Sequence, residues 1–552
     1  MNVTPRSVPP RSVPPRSVPP RSVPPRSVPP RSVPPRSVPP RSVPPRSVTP
    51  RSVALVGLAL LASAGCTQRP EPIEPVTVGL LVPEGSESLG AIAQAWKQAA
   101  ILAQEQINAA GGLYDGRPMV LEIRDTEASA TIAADAMREL IEADVVGVIG
   151  PATSGESLAT RDLAAAAEIP QISCCATSVE VTAEQSQRTG WFFRTTAHDR
   201  FQGGAIGYLA SQGFRGPHPV YQAATGATEG ASIDSCTDMI IVERDDSYGA
   251  SLAGAIEDAF AAAPISYYDS TGTQVPRVGG NGQQVQGNVL GRFKFTPDFV
   301  GGRNPGSAEV VSEAQGFLRG SAAGYEDNGD VIARINSDYD FETNGGVCVV
   351  LAAYPTEGGA TLRAVNSLLD AVDTERQMTD PGFELRRTYL AADGLANDDF
   401  AGAAGALVQQ VQGTNPSHAY NEAYDEFFTA YDARFGEAPP SFTSQVFDAV
   451  ILMALAITQA GADDGPLVRD ALFDVSAGGT VYQGKFFGEM ANAILADQDI
   501  DYIGPSGYLD FDDKGDVTSD YALWKGAVVQ GSDPLRYTAV GTDQLPFDEF
   551  NE

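Results

Sequence analysis

Histidine is almost missing from this chain. Three in 552 residues (His198, His218 and His418) are scattered too widely for a metal cluster and leave little for general-base chemistry. The five cysteines follow no zinc spacing. Neither a G-x-S-x-G elbow nor H-E-x-x-H occurs, so no catalytic residue, metal or cofactor is expected, and the chain does not read as an enzyme. Positive charge is also scarce. Ten of the 37 Lys and Arg lie between Arg6 and Arg51, in a 65-residue stretch without a single acid. The remaining 487 residues hold 27 basic against 70 acidic side chains, a net charge of −43. Such a body has no footprint for a phosphate backbone, which excludes nucleic acid as a partner. Beyond residue 66 no apolar run approaches the roughly 18–20 residues that span a bilayer, so any membrane contact is expected through an anchor alone.

What is present begins with repetition. Residues 1–50 are built on Arg-Ser-Val-Pro-Pro, whose prolines block helix and sheet and leave at most an extended arm. Residues 51–65 read as a secretory signal: Arg51, the apolar run Val53 to Ala62, then small residues before Cys66. The end resembles a bacterial lipobox with Cys66 as the lipidated N-terminus, although Ser63 stands where Leu is usual. Ala62-Ser63-Ala64 also reads as an ordinary cleavage site. Residues 66–75 then form a tether, and either route exports the mature protein to the periplasm or cell envelope. In an oxidising compartment Cys174, Cys175, Cys236 and Cys348 are expected to pair, with three connectivities open, a vicinal Cys174–Cys175 bond among them.

From Val76 onward strands and helices alternate. Val76–Val82, Met119–Asp125, Asp144–Gly150 and Pro170–Cys175 read as strands. Between them come a helix with Ile92, Ala95, Ala99 and Leu102 on one stripe, then helices over 131–143 and 155–168. The pattern restarts with strand Met239–Asp246 and helix Gly249–Ala262, followed by strands Val347–Tyr354 and Tyr389–Asp393. Right-handed crossovers turn such a series into parallel sheets covered by helices on both faces. Residues 265–346, rich in Gly, Asn and Asp, read as strand and helix material carrying a long surface insertion. Phe447–Ala460 is apolar nearly all round and reads as a core helix.

These residues carry a resemblance. Gly79-Leu-Leu-Val-Pro83, Ile107-Asn-Ala-Ala-Gly-Gly112, Val148-Ile-Gly-Pro-Ala-Thr-Ser154 and Ile172-Ser-Cys-Cys-Ala-Thr177 are similar to the leucine/isoleucine/valine-binding protein family. So are Asp245-Asp-Ser-Tyr-Gly249, Ala353-Tyr-Pro355, Ala392-Asp-Gly394 and Gly507–Asp516, in the family's order across residues 76–530. The resemblance implies an α/β, type I periplasmic binding protein, with two doubly wound lobes joined by three crossovers around a ligand cleft. The first lobe would take 76–196 and 415–505, the second 197–414 with its insertion, and 506–552 would return to the second lobe and form a tail. By the same resemblance Ser154 and Thr177 would bind a ligand carboxylate and the Cys175 carbonyl its ammonium. Asp393, where the best-known members carry Glu, would pair with that ammonium. Tyr354 would close the cleft, and Leu89 would line the side-chain pocket. Thr153 with Glu156, and Thr177 with Glu180, also have the spacing of capping boxes. Cys236 and Cys348 fall at or before the starts of strands that this fold sets side by side, so a disulfide between them is expected.

Asp510–Asp516 imitates a calcium loop, but Lys514 and Tyr521 occupy positions that need ligands, and a turn in a β-hairpin is the expectation. The functional expectation is a monomeric, extracytoplasmic carrier of an amino acid, branched-chain or similar, that closes by a hinge and meets an ABC permease in the inner membrane. A ligand-sensing receptor component of the same fold is the alternative; an interaction protein that kept the fold and lost its ligand is a third.

Overall fold

The structure is a computed structural model that describes residues 73–215, 232–342, 345–416, 422–483 and 487–526, and the backbone of 544–545. The repeat, the signal segment and Cys66 lie outside them, as do His218 and His418.

The short apolar run Val76–Val82 is a strand buried along nearly its whole length, as its lack of polar alternation predicts. It pairs in parallel with Met119–Asp125 on one side and Val148–Ile149 on the other. Gln171–Ser173 and Phe192–Arg194 complete a five-stranded parallel sheet. The third strand is shorter than the apolar run from residue 144 suggests. Asp144 takes a left-handed conformation that starts it with a turn, and Val146 then hydrogen-bonds Thr77 outside a regular ladder. A second sheet orders its strands Asn288–Phe295, Asp238–Arg244, Val347–Ala352, Arg387–Ala391, Val411–Pro416, Tyr521–Lys525 and Gln544–Leu545. The first five are parallel and the last two antiparallel. Asn288–Phe295 therefore belongs to the main sheet, with Phe293 and Phe295 buried, and the surface material of 265–346 is confined to the segments around it.

Helix Thr443–Ala460 is long and apolar enough to cross a membrane, longer than the sequence runs suggested, yet Thr443 to Thr458 are all buried in the core of the smaller sheet's lobe. Asp448, in its middle, accepts hydrogen bonds from Tyr502 (2.6 Å) and the Ser506 N–H (2.8 Å), which a lipid environment would not supply. In the other lobe, helices Asp199–Gln212 and Ser247–Ala262 approach closely because Gly203 and Gly207 lack side chains. A Cβ at either would come within 2.7 Å of the Ala255 or Ala259 methyl. Cys236 is bonded to Cys348, with Cα atoms 5.6 Å apart, and Cys174 to its neighbour Cys175.

The chain passes from the smaller to the larger lobe between Arg194 and Asp199, is back in the smaller by helix Glu422–Phe435, and crosses finally between Tyr508 and Tyr521. Arg194 binds the first and last of these passages together. Its wholly buried guanidinium pairs with Asp516 at 2.6 Å and donates to the Ala176 and Ser178 carbonyls (3.0 Å each) and to Thr182. The Asp512–Asp516 turn is thus a crossover loop rather than a hairpin turn: Asp512 caps the N–H groups of Lys514 and Asp516, and the flanking strands enter different sheets. Removing one member of a buried pair leaves the other charge uncompensated. Asp516→Ala should lower stability by about 3–5 kcal/mol, read as the shift of a urea unfolding curve; a loss near zero would contradict this role.

Candidate functional site

Strands that run in parallel place all their C-terminal ends on one side, and here the two sheets turn those ends toward each other. Leu89 follows Val76–Val82, Ser154 follows Val148–Ile149 and Cys175 follows Gln171–Ser173. From the larger lobe, Tyr248 follows Asp238–Arg244, Tyr354 follows Val347–Ala352 and Asp393 follows Arg387–Ala391. All six line one cleft of about 490 Å³, mouth included.

The smaller lobe's side of the cleft offers donors. Thr153 caps helix Ser154–Ala166 in a complete capping box with Glu156, which occupies the Thr153 and Glu156 N–H groups. Among the described residues the Ser154 and Gly155 N–H groups have no acceptor, as expected at the first turn of a helix. Ser154 Oγ accepts the Ser178 N–H at 3.1 Å, so its proton stays available. Unpaired N–H groups at a helix start suit an anion.

The larger lobe's side offers an acid. Asp393 is buried and accepts from Tyr248 Oη at 3.0 Å. Burial pushes its carboxyl above the usual range, while Tyr248, the Gly394 N–H and the Gln202 amide pull it back. Tyr248 stacks on Tyr354 with ring centroids 5.3 Å apart, and Arg244 lies 4.4 Å from the centre of the Tyr354 ring. The lining also includes the apolar Leu89, Ile92, Trp96 and Phe442, the last two packed edge to face. The Cys174–Cys175 disulfide places Cys175 in this lining.

Five of the six ligand residues expected from sequence thus meet in the cleft. Thr177 does not line it: its hydroxyl is buried beside the Asp199 carboxyl, and its carbonyl accepts the Asp199 N–H at 2.8 Å. Nor does Thr177 cap with Glu180. The short helix begins at Val179, so Ser178 is the preceding residue and accepts the Glu180 N–H at 3.3 Å. Sequence reasoning passed over Tyr248, although it lies inside a quoted motif at a strand end, and over Trp96 and Phe442, which nothing local distinguishes from core aromatics. Among the described residues no group of His, Cys, Asp and Glu is arranged to hold a metal.

Residues 75–280 match a family described as periplasmic binding protein, and residues 345–527 match one described as receptor family ligand binding region. The branched-chain amino acid transporter substrate binding protein LivJ of Streptococcus pneumoniae, solved with isoleucine, covers 85% of this chain and 99% of its own at 18% identity, with a TM-score of 0.53. A solute binding protein of an ABC transporter from Rhodopseudomonas palustris, solved with 3,4-dihydroxy benzoic acid, aligns over 85% of this chain and 97% of its own at 16% identity and a TM-score of 0.52. The chemotactic signal transduction system substrate-binding protein BasB of Halobacterium salinarum is 28% identical over 347 residues, 62% of this chain and 75% of BasB. The chain has the two-lobed fold of type I periplasmic binding proteins. At 18% identity it is similar in fold to solved branched-chain amino-acid and leucine binding proteins.

Asp199, at the first crossover, is wholly buried, and neither carboxylate oxygen makes a well-formed hydrogen bond. Burial pushes it up to about 7, against the Ser251 and Thr177 hydroxyls, with Asp393 adding to the rise. A carboxyl raised on folding binds its proton more tightly in the native state, so its contribution to stability is lost as pH rises from about 4 to about 7. His198, lowered to about 4 by burial, acts in the opposite sense. Asp199→Asn should therefore flatten the fall in thermal midpoint between pH 5 and pH 8 and stabilise the protein at pH 8 by on the order of 1–4 kcal/mol. Calorimetric scans with parallel slopes for both proteins would refute this.

Proposed function

We propose that the protein captures a small zwitterion, an amino acid with an apolar side chain, and delivers it to an ABC permease. The observation that carries this reading is the polarity of the cleft. Helix-start donors at Ser154 and a buried acid at Asp393 face it from different lobes, with the Leu89, Ile92, Trp96 and Phe442 wall beside them. In this reading the carboxylate meets Ser154 and Gly155, and the ammonium meets Asp393 and the Cys175 carbonyl. Because the donors and the acid belong to different lobes, a ligand bridging them favours closure. The name of BasB and the receptor-family match favour a second reading, in which the loaded protein reports to a signalling partner. Crosslinking in native membranes separates the two by whether a permease or a transducer is captured.

Calorimetric titration with a panel of amino acids tests the site. Breaking a buried charge pair costs about 2–5 kcal/mol, so Asp393→Ala should weaken binding roughly 30-fold to a few thousand-fold. Ser154→Ala removes one donor of several and should cost about 1–3 kcal/mol. Wild-type affinity in Asp393→Ala would place the ammonium elsewhere. We further propose that the exported chain is anchored through lipidated Cys66. Cys66→Ala should then shift the protein from the detergent phase to the soluble phase, and an unchanged partition would remove the anchor.

A further inference from the structure

Ser88 ends the loop after the first strand of the smaller lobe, but its hydroxyl bonds to the larger one. It donates to Glu357 Oε2 at 3.0 Å, with Asp298 Oδ1 a second acceptor at 3.2 Å. One residue earlier, the exposed Glu87 accepts the N–H of Gly302. The segment that presents this N–H turns through left-handed conformations at Asp298, Gly301 and Gly302, the last two affordable because glycine carries no Cβ. Behind the contact, Glu357 is fully buried and paired with Arg244. The same guanidinium holds Asp246 at 2.5 Å and covers the Tyr354 ring. Tyr354 in turn stacks on Tyr248, which donates to Asp393. A continuous series of contacts therefore runs from a loop of one lobe to the acid of the cleft in the other.

We propose that Ser88 and Glu87 form an interlobe latch on the Glu357–Arg244 ion pair and the 298–302 loop, and that Arg244 is the positioning residue that ties closure of the lobes to the placement of Tyr354. Three features support this. Neither Ser88 nor Glu87 lines the cleft, so the contact is not part of ligand recognition. Arg244 pairs with Glu357 and Asp246 through contacts within the larger lobe in which Ser88 takes no part, so the ion pair does not rest on the latch. A hydrogen bond from a hydroxyl to an ionised carboxylate in a buried setting is among the stronger neutral-donor contacts, enough to bias a hinge whose two states differ by little.

The molecule contains its own reporter. Val179, in the smaller lobe, donates its N–H to Ser251 Oγ of the larger lobe at 3.2 Å, and shares no residue with the latch. Opening of the lobes breaks both contacts, whereas a local loosening of the loops leaves Val179 protected. The test is amide hydrogen exchange, read by mass spectrometry on the full chain without ligand, for wild type, Ser88→Ala, Glu87→Gln and the double variant. Exchange at Val179 is expected to accelerate about 5- to 30-fold in the double variant, with an unchanged thermal midpoint. Arg244→Lys, which keeps the charge but loses the planar fork, should accelerate it as well. If only the peptides covering 84–90 and 298–303 exchange faster while Val179 holds its wild-type rate, the latch is overturned. Since no ligand enters the measurement, failure of the amino-acid assignment and failure of the latch are separate results.

Discussion

A guanidinium with no access to water governs this architecture. Arg194 is fully buried, and a charge taken from water must be met by fixed acceptors or it unfolds what surrounds it. Its acceptors come from the segment just after Cys175 (the Ala176 and Ser178 carbonyls), from Thr182, and from Asp516 more than three hundred residues later. Thr182 also donates to Asp516 at 2.9 Å, closing the network. The pairing fixes the first and last crossovers against each other and against the wall that carries Cys175. Lobes hinged at such a point can rotate while the crossovers stay in register.

Around that fixed point the cleft is assembled by elements that say little in isolation. A helix start gives donors, a strand end gives an acid, and two tyrosines stacked at 5.3 Å give a surface between them. Each lobe brings half of the polarity: Ser154 stands on the smaller and Asp393 on the larger. In the proposed reading, their placement on different lobes gives a zwitterion reason to hold the lobes together, and the proposed latch of Ser88 on Glu357 adds a closure term independent of the ligand's chemistry.

The alternation of strands and helices was readable because parallel strands covered on both faces leave short continuous apolar runs, as at Val76–Val82. Where such a run misled, a single backbone conformation was responsible: Asp144 in the left-handed region shortens the third strand to Val148–Ile149. The cleft lining was legible through the family resemblance at Ser154, Tyr354 and Asp393, each just past a strand end. It was not legible at Trp96 and Phe442, since an aromatic on a helical stripe looks the same whether it faces a core or a cleft. Thr177 shows the converse. Its motif is intact, yet the buried Asp199 takes its hydroxyl as a neighbour and its carbonyl as an acceptor, and the side chain does not line the cleft.

By itself the sequence determined the alternation of strand and helix, the acidic body, and the strand-end positions from which a site would be built. These follow from composition and from periodicities that act within a few residues. Only the tertiary structure decided which strand ends oppose each other, that Cys236 meets Cys348, that Tyr248 holds Asp393, and that Ser88 reaches Glu357 across 269 residues. The physical reason is range. Local patterning fixes what a segment can be, whereas a buried acid or guanidinium selects its partner from whatever the fold brings within about 3 Å, wherever in the chain that partner lies.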